Sequence, residues 1–186
     1  MPRIPAPPEP LVDERVIVRL SAERDIPEIL IAYQDDPELH VHLGEQRPPS
    51  GAELGRREER AATERAAGTR LTLTITEPGS DVCRGQVYVR DVDWDNDRAE
   101  LAIWLAPQAR GGAMAAPALR LTAGWLLANT ELERVQVTTT ADNEPMIRAA
   151  RAAGFAEEGV LRAYMRLGGR RADAAILSLL PGDLEG

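Results

Sequence analysis

Between Arg70 and Leu105 the chain alternates apolar and polar residues in three successive runs: Arg70 to Thr76 (RLTLTIT), Gly85 to Val92, and Arg98 to Leu105. A period of two sends neighbouring side chains to opposite faces, so each run reads as a half-buried strand. The gaps between them, 77–84 and 93–97, are shorter than the dozen or so residues that a parallel crossover needs. Pro78-Gly79 marks a turn in the first gap, and the acidic stretch Asp93 to Asp97 reads as a hairpin turn in the second. Three neighbouring strands with such short connections must form an antiparallel meander. That excludes a nucleotide-binding fold built from successive βαβ units.

Before the meander, Val16 to Leu20 (VIVRL) is a short β-branched strand. A helix with Pro27 in its first turn then runs to about Tyr33. Asp36-Pro37 breaks the chain. Ser50 and Glu53 have capping-box spacing, which predicts an exposed helix to Ala67, closed by Gly68. After the meander the style changes. Gln108 to Ala113 is a loop of small residues, and a long helix follows to about Asn129. Arg134 to Thr140 (RVQVTTT) is a strand, Glu144 to Ala153 a helix ended by Gly154, and Phe155 to about Arg166 a strand. A Gly168-Gly169 turn leads to a last strand, from about Arg171 to Leu180. The order β-α-α-β-β-β-α-β-α-β-β describes one α/β (α+β) domain over residues 15–181. Residues 1–14 read as a flexible proline-rich tail and 182–186 as a short C-terminal tail.

Composition narrows the function. Aromatic residues are 4% of the chain and Phe155 is its sole phenylalanine, so the interior must be aliphatic. The formal net charge of −8 argues against a nucleic-acid partner, which needs clustered Lys and Arg. One cysteine, Cys83, excludes an internal disulfide or a multi-cysteine zinc site, and reads as a small buried hydrophobe. The N-terminal segment lacks the apolar core of a signal peptide, and no stretch approaches the roughly 18 apolar residues of a membrane span. A cytoplasmic protein is expected.

The junction LAPQARGGAMAA carries the chemistry. A strand ends, small residues follow, and a helix begins. Free N–H groups and the dipole at a helix N-terminus attract an anion, and small residues let a diphosphate approach the backbone. The lysine of a P-loop and the G-x-G-x-x-G pattern are both missing. His40 and His42 lack further ligands for a metal and read as facing solvent. Trp94, set among Asp93, Asp95 and Asp97, reads as part of an exposed acidic turn, with a cation cradle as the alternative.

Gln108-Ala109-Arg110-Gly111-Gly112-Ala113 resembles the Q/R-x-x-G-x-G/A signature of the GNAT superfamily of N-acetyltransferases. About thirty residues on, Asp142-Asn143 opens a helix that Gly154-Phe155 closes, at a spacing similar to that family's. AELAIWLAP before the loop, GVLR and Asp173 near the end look like the RimJ/RimL ribosomal-protein alanine acetyltransferase branch. The likeness runs from about Val16 to Leu180. It implies a mixed, mostly antiparallel sheet of about seven strands, with helices on both faces and a splayed central strand pair. Acetyl-coenzyme A would lie in that opening as co-substrate. Backbone groups of Ile103, Trp104 and Leu105 would hold its pantetheine arm. The loop of Gln108, Ala109, Arg110, Gly111, Gly112, Ala113, Met114 and Ala115 would bind the cofactor, with the amides from Arg110 to Ala115 holding its pyrophosphate. Asn143 would bond the pantetheine, cap its own helix, or both.

The same resemblance implies direct attack of a free amine on the thioester. Glu100 matches the position of the glutamate that takes the amine's proton, directly or through water. Its alternative is a strand residue paired with Arg98 or a neighbour. The general acid is not supplied by the usual positions, which here are Ala150 and Met146, so Tyr164 is the fallback and a plain strand aromatic its alternative. Gly112, Ala116 and Pro117 also depart from the pattern. Pro117 lacks an N–H, so the regular helix must start near Met114 or its first turn is distorted. The resemblance would also place His40 and His42 beside the acceptor entrance. The acceptor is a small-molecule amine or a protein N-terminus, with no nucleic acid or membrane partner, and a homodimer is compatible with the fold. An inactive coenzyme-binding module is the rival reading. A ligand bound only by the folded state raises its melting temperature. Acetyl-coenzyme A and coenzyme A at millimolar concentration should therefore raise Tm in a thermal-shift assay, and NAD should not.

Overall fold

The computed structural model describes residues 3–184, and its sheet has eight strands where about seven were expected. They are β1 (Leu11–Val12), β2 (Ile17–Leu20), β3 (Leu71–Thr76), β4 (Gly85–Asp93), β5 (Arg98–Leu105), β6 (Arg134–Thr140), β7 (Ala156–Leu167) and β8 (Arg170–Leu179). The spatial order is β1-β2-β3-β4-β5-β6-β8-β7, and every neighbouring pair is antiparallel except β5–β6. The helices are α1 (Ile26–Asp35), α2 (Leu39–His42), α3 (Gly51–Ala66), α4 (Ala115–Asn129) and α5 (Glu144–Ala152).

The supernumerary strand comes from the segment read as a tail. Leu11 and Val12 pair with Val18 and Ile17, and Ile4 is 1% exposed in the main core, where its amide donates to the Arg65 carbonyl. Five prolines in the first ten residues stiffen this stretch without detaching it, because an isoleucine beside an apolar core gains about 2 kcal/mol by burial. The C-terminal segment is likewise held through residue 184: Pro181–Leu184 is a 3-10 turn and Leu184 packs on the main core. Residues 1, 2, 185 and 186 of the two expected tails lie outside the described residues.

The period-two pattern builds two unequal faces. Leu71, Leu73, Ile75, Val87, Val89, Ala99, Leu101, Val135, Val137, Leu177 and Leu179 point to one side, where α4 and α5 close over them with Leu119, Leu126, Ile147 and Ala150. The opposite face presents Arg19, Thr74, Gln86, Tyr88, Arg90, Glu100 and Trp104. Over part of it α1 and α3 build a smaller core from Ile29, Ala32, Tyr33, Leu54, Cys83 and Trp104. Burial pushes the Cys83 thiol up to about 12, in keeping with an inert core residue. Ser50 accepts from the Glu53 amide while the Glu53 carboxylate accepts from the Ser50 amide, so the expected capping box starts α3. A one-residue register shift in the β4–β5 hairpin falls between Arg90 and Asp93, with Asp91 at φ 48°.

Gly85 sits where β4 meets the end of β5. A Cβ there would stand 2.2 Å from the Trp104 carbonyl oxygen and 2.9 Å from a Leu105 methyl. Gly55, inside α3, has open space around it. Gly85→Ala should therefore lower Tm by roughly 3–10 °C, since forced overpacking costs about 1–3 kcal/mol. Gly55→Ala should raise it slightly, as alanine outranks glycine in a helix. Calorimetric scans of both variants check the opposite signs.

Candidate active site

The parallel pairing of β5 with β6 runs only from Arg98↔Arg134 to Leu101↔Val137. Beyond it β5 stays paired with β4 up to Gly85↔Leu105, and β6 stays paired with β8 up to Thr140↔Ala174. The two strands thus part, each keeping its outer partner and leaving its inner edge without a strand partner. Ala106 donates to the Arg84 carbonyl at 2.8 Å, so by alternation the N–H and C=O of Ile103 and Leu105 face the opening. The side chain of Ile103 lies on the main core and that of Trp104 is buried on the other face, its indole donating to the Tyr88 hydroxyl at 3.0 Å.

The loop after β5 begins with a 3-10 turn, Pro107–Ala109, that uses the amides of Ala109 and Arg110. From Gly111 to Ala116 no backbone amide finds an acceptor among the described residues. The free amides thus start one residue later than the Arg110 start that the sequence suggested. Gly111 at φ 79° and Ala113 at φ 56° turn this run into a concave strip leading to α4, whose N-cap is Met114. Pro117 is the third helical residue, where an N–H would have no intrahelical partner, so it fits without distortion. Such a strip can hold a diphosphate.

Two side chains of the loop reach to the far end of α1. Gln108 donates to the carboxylate of Asp35. Arg110 donates to that of Asp36 and, through Nε at 3.0 Å, to the Leu105 carbonyl. Burial works to raise the Asp36 carboxyl, but the Arg110 hydrogen bond and charge outweigh it and hold the group below the usual range. Asp36, which the sequence reading took only for a chain break, and Asp35 beside it therefore tether the loop.

Glu100 is 9% exposed and does not pair with Arg98, which instead bonds Asp93. Three donors converge on its carboxylate: Arg90 at 2.8 Å, the Thr138 hydroxyl at 2.8 Å, and the Gln136 amide at 3.4 Å. A carboxylate offers about four acceptor positions, so one is left for a water or an amine. Arg90 stands opposite Glu100 across the β4–β5 pair, and Thr138 and Gln136 lie across the seam on β6. Between Glu100 and Trp104 on this face comes only Ala102, opposite Tyr88, at the level where the strands part. Burial pushes the Tyr88 hydroxyl up to about 12, and it donates to Gln86 at 2.8 Å. Hairpin register alone would point to Arg90, had the bulge at Asp91 not hidden it; Thr138 and Gln136 carry no sequence signal.

Asn143 caps α5: its carbonyl accepts from Met146 N at 3.3 Å and its amide donates to Thr139 at 3.0 Å. Among the described residues its second amide hydrogen has no acceptor. Ala150 is fully buried in the main core, so the position where an acid was sought faces away from the opening. Tyr164 lies on the edge strand β7, 57% exposed, and is not brought to the Glu100 cluster. His40 is half-buried on α2, its Nδ1 enclosed without a hydrogen-bond partner among the described residues. The Trp94 indole donates to the Gly68 carbonyl at 2.8 Å and packs on the main core, which corrects the cation-cradle reading. Among the described residues no three His, Cys, Asp or Glu side chains assemble into a metal site, and no helix is long and apolar enough to cross a membrane. Two surface grooves, of about 390 Å³ beside Arg47 and Arg57 and about 420 Å³ beside Trp125, lie away from the opening.

The acetyltransferase (GNAT) domain family matches the chain over residues 15–156. An uncharacterized N-acetyltransferase, p20, of Bacillus licheniformis is 24% identical over 181 residues, covering 96% of this chain and 99% of the relative. Among solved structures, Mycobacterium smegmatis RimJ, in complex with a coenzyme A disulfide, superposes with TM-score 0.82 at 22% identity, over 96% of this chain and 88% of its own. RimL, a ribosomal alpha-N-protein acetyltransferase in complex with coenzyme A, gives TM-score 0.80 at 15% identity, over 92% and 98%.

A Cβ on Gly111 would meet nothing within 4 Å, so this residue supplies its positive φ and leaves the space above the amides clear. Gly111→Val should strain the loop by about 1–2 kcal/mol and cover the strip. The expected result in a calorimetric titration is at least a tenfold loss of acetyl-coenzyme A affinity, with the fold kept by circular dichroism.

Proposed function

The chain belongs to the acetyltransferase (GNAT) family, and from that premise we propose that it transfers the acetyl group of acetyl-coenzyme A to the N-terminal amine of a protein, by direct attack in a ternary complex. The single observation that carries this reading is the parting of β5 and β6 at Leu101 and Val137. It leaves an extended strand edge leading straight into a strip of free amides. A pantetheine arm is an extended amide chain ending in a diphosphate, so it suits the two features in that order. Ile103 would bond the arm as an added strand would, Gly111 to Ala116 the pyrophosphate, and the free Asn143 hydrogen the arm's far side. The ribosomal-protein acetyltransferases among the relatives favour a protein N-terminus over a small amine.

The thioester would then lie near Ala102, below the polar face. The amine arrives as an ammonium whose pKa leaves little free base at neutral pH. Glu100, with one acceptor position open, takes that proton directly or through a water. The nitrogen lone pair attacks the carbonyl carbon, the bonded nitrogen gives up its second proton to solvent, the C–S bond breaks, and coenzyme A leaves as a thiolate that solvent protonates. Arg90, Thr138 and Gln136 fix the carboxylate so that its open position faces the opening, and such pre-orientation lowers the barrier. Tyr88 stays a neutral hydroxyl donor near this point. Tyr164 is the less suited acid, given its exposure on β7.

Glu100→Gln tests the base. Turnover should fall by roughly 100- to 10,000-fold, the usual worth of general base catalysis, with little change in cofactor affinity. The defect should shrink as pH rises, because more acceptor then arrives as free amine. A higher Michaelis constant at full maximal rate would assign Glu100 to acceptor binding instead. Thiol release from a panel of peptides and small amines identifies the acceptor. Tight coenzyme binding with no turnover on any of them would favour a binding module.

A further inference from the structure

β7 and β8 continue past the sheet as a free two-stranded arm. The last β8 residue paired with β6 is Ala174, opposite Thr140, and the Asp173 carbonyl still accepts from the Ala141 amide at 2.9 Å, so Arg170 to Ala172 have only β7 for a partner. Because Thr140 ends β6, the arm projects from the same end of the sheet at which β5 and β6 part. Its shape is set by its own backbone. Leu167 pairs with Arg170 around Gly168 and Gly169, both at positive φ, a tight two-residue turn. Between Leu161 and Met165 the register shifts at Ala163, whose φ is 51°. The Ala163 amide donates to the Asp173 carboxylate at 2.7 Å, and its carbonyl accepts from Arg171 at 3.1 Å. A bulge bends a strand, and this one is bonded on both sides, so the arm has a fixed aim.

Its charge runs against that of the chain. Residues 160–173 carry Arg162, Arg166, Arg170 and Arg171 against a single acid, Asp173, in a protein of net charge −8. All four arginines are exposed. Among the described residues none of them forms an ion pair, although most other arginines with partners bond carboxylates, as Arg134 does Glu158 and Arg151 does Glu157. Arg166 lies directly opposite Arg171. Like charges facing each other across a strand pair destabilise it, so folding alone gives no reason for this arrangement.

We propose that the arm is an acceptor-docking surface that binds acidic side chains downstream of the N-terminal amine in the substrate polypeptide. This deepens the function proposed above and rests on it. A polypeptide whose first residue sits at Ala102 lies over the polar face, and where it leaves toward the end of the sheet at which β5 and β6 part it meets the arm. Four exposed guanidiniums suit carboxylates spaced along such a segment. RNA is the poorer fit, because the body of the chain is acidic and would repel it beyond the few residues of the arm.

The test uses the full chain with coenzyme A present and two C-terminally labelled peptides that share their first three residues. One carries three Asp or Glu within positions 4–9; the other has Gln and Ser there. Fluorescence anisotropy should give a roughly five- to thirtyfold tighter Kd for the acidic peptide at low salt, the scale of a few exposed ion pairs. That ratio should fall toward one in 0.5 M NaCl and in the Arg166→Ser, Arg170→Ser double variant, whose Tm should match the parent's. Thiol release with both peptides then separates the two readings. Turnover of both peptides with equal Kd overturns the docking arm and keeps the acetyltransferase reading. An arginine-dependent Kd ratio without turnover keeps the arm and overturns the acceptor assignment. A preference that survives in the double variant, or arginine-dependent binding of a short RNA in preference to the acidic peptide, also overturns the arm.

Discussion

A four-residue parallel seam, from Arg98–Arg134 to Leu101–Val137, joins the two halves of the sheet, and the rest of the molecule is arranged around its ending. Strand edges inside a protein cannot stay bare without cost, since each backbone N–H and C=O needs a partner. Here β5 and β6 satisfy their outer edges through β4 and β8 and keep the inner ones in reserve. An open wedge in the middle of a sheet is therefore a demand for an extended, amide-bearing ligand. The free amides of Gly111 to Ala116 extend that demand to an anion.

The two faces of the sheet divide the work. One is closed by α4 and α5 over an aliphatic core, which gives the wedge a rigid floor. The other is polar and only partly roofed by α1 and α3. That roof is anchored by a buried pair: Arg19 bonds Asp25 through two nitrogens at 3.0 and 2.7 Å, and Asp25 also accepts from Thr74 at 2.7 Å and from the Ala22 amide. Asp25 is 2% exposed, so losing Arg19 would leave a carboxylate uncompensated, at a cost of about 3–5 kcal/mol. The bond fixes the start of α1 on β2 and β3, and with it the direction in which the helix delivers its far end.

Much of this was legible in the chain. The meander, the two later α/β units, the capping box at Ser50 and the glycine loop announce themselves through period, capping chemistry and small residues, all of them local signals. The misread parts depend on partners distant in sequence. Ile4 and Leu11 looked like tail because proline dominates their neighbourhood, yet an apolar surface 60 residues away claims Ile4. Glu100 could be singled out, but its three donors sit on two other strands, one of them displaced by a bulge. Asp36 with Pro37 read as a chain break, which it is, and nothing local reveals that Arg110 would reach it or Gln108 its neighbour Asp35.

Those last contacts have a consequence for how such a chain can diverge. The end of α1 borders the polar face, where the proposed acceptor would enter, while Gln108 and Arg110 belong to the loop proposed above to face the coenzyme. Because the two are bonded directly, they are not separate modules. An exchange of α1 and α2 from a relative with another acceptor would replace Asp35 and Asp36 together with the acceptor wall, releasing Arg110 from one of its two anchors. New specificity imported this way would arrive with a loosened coenzyme loop unless both aspartates travelled with the graft.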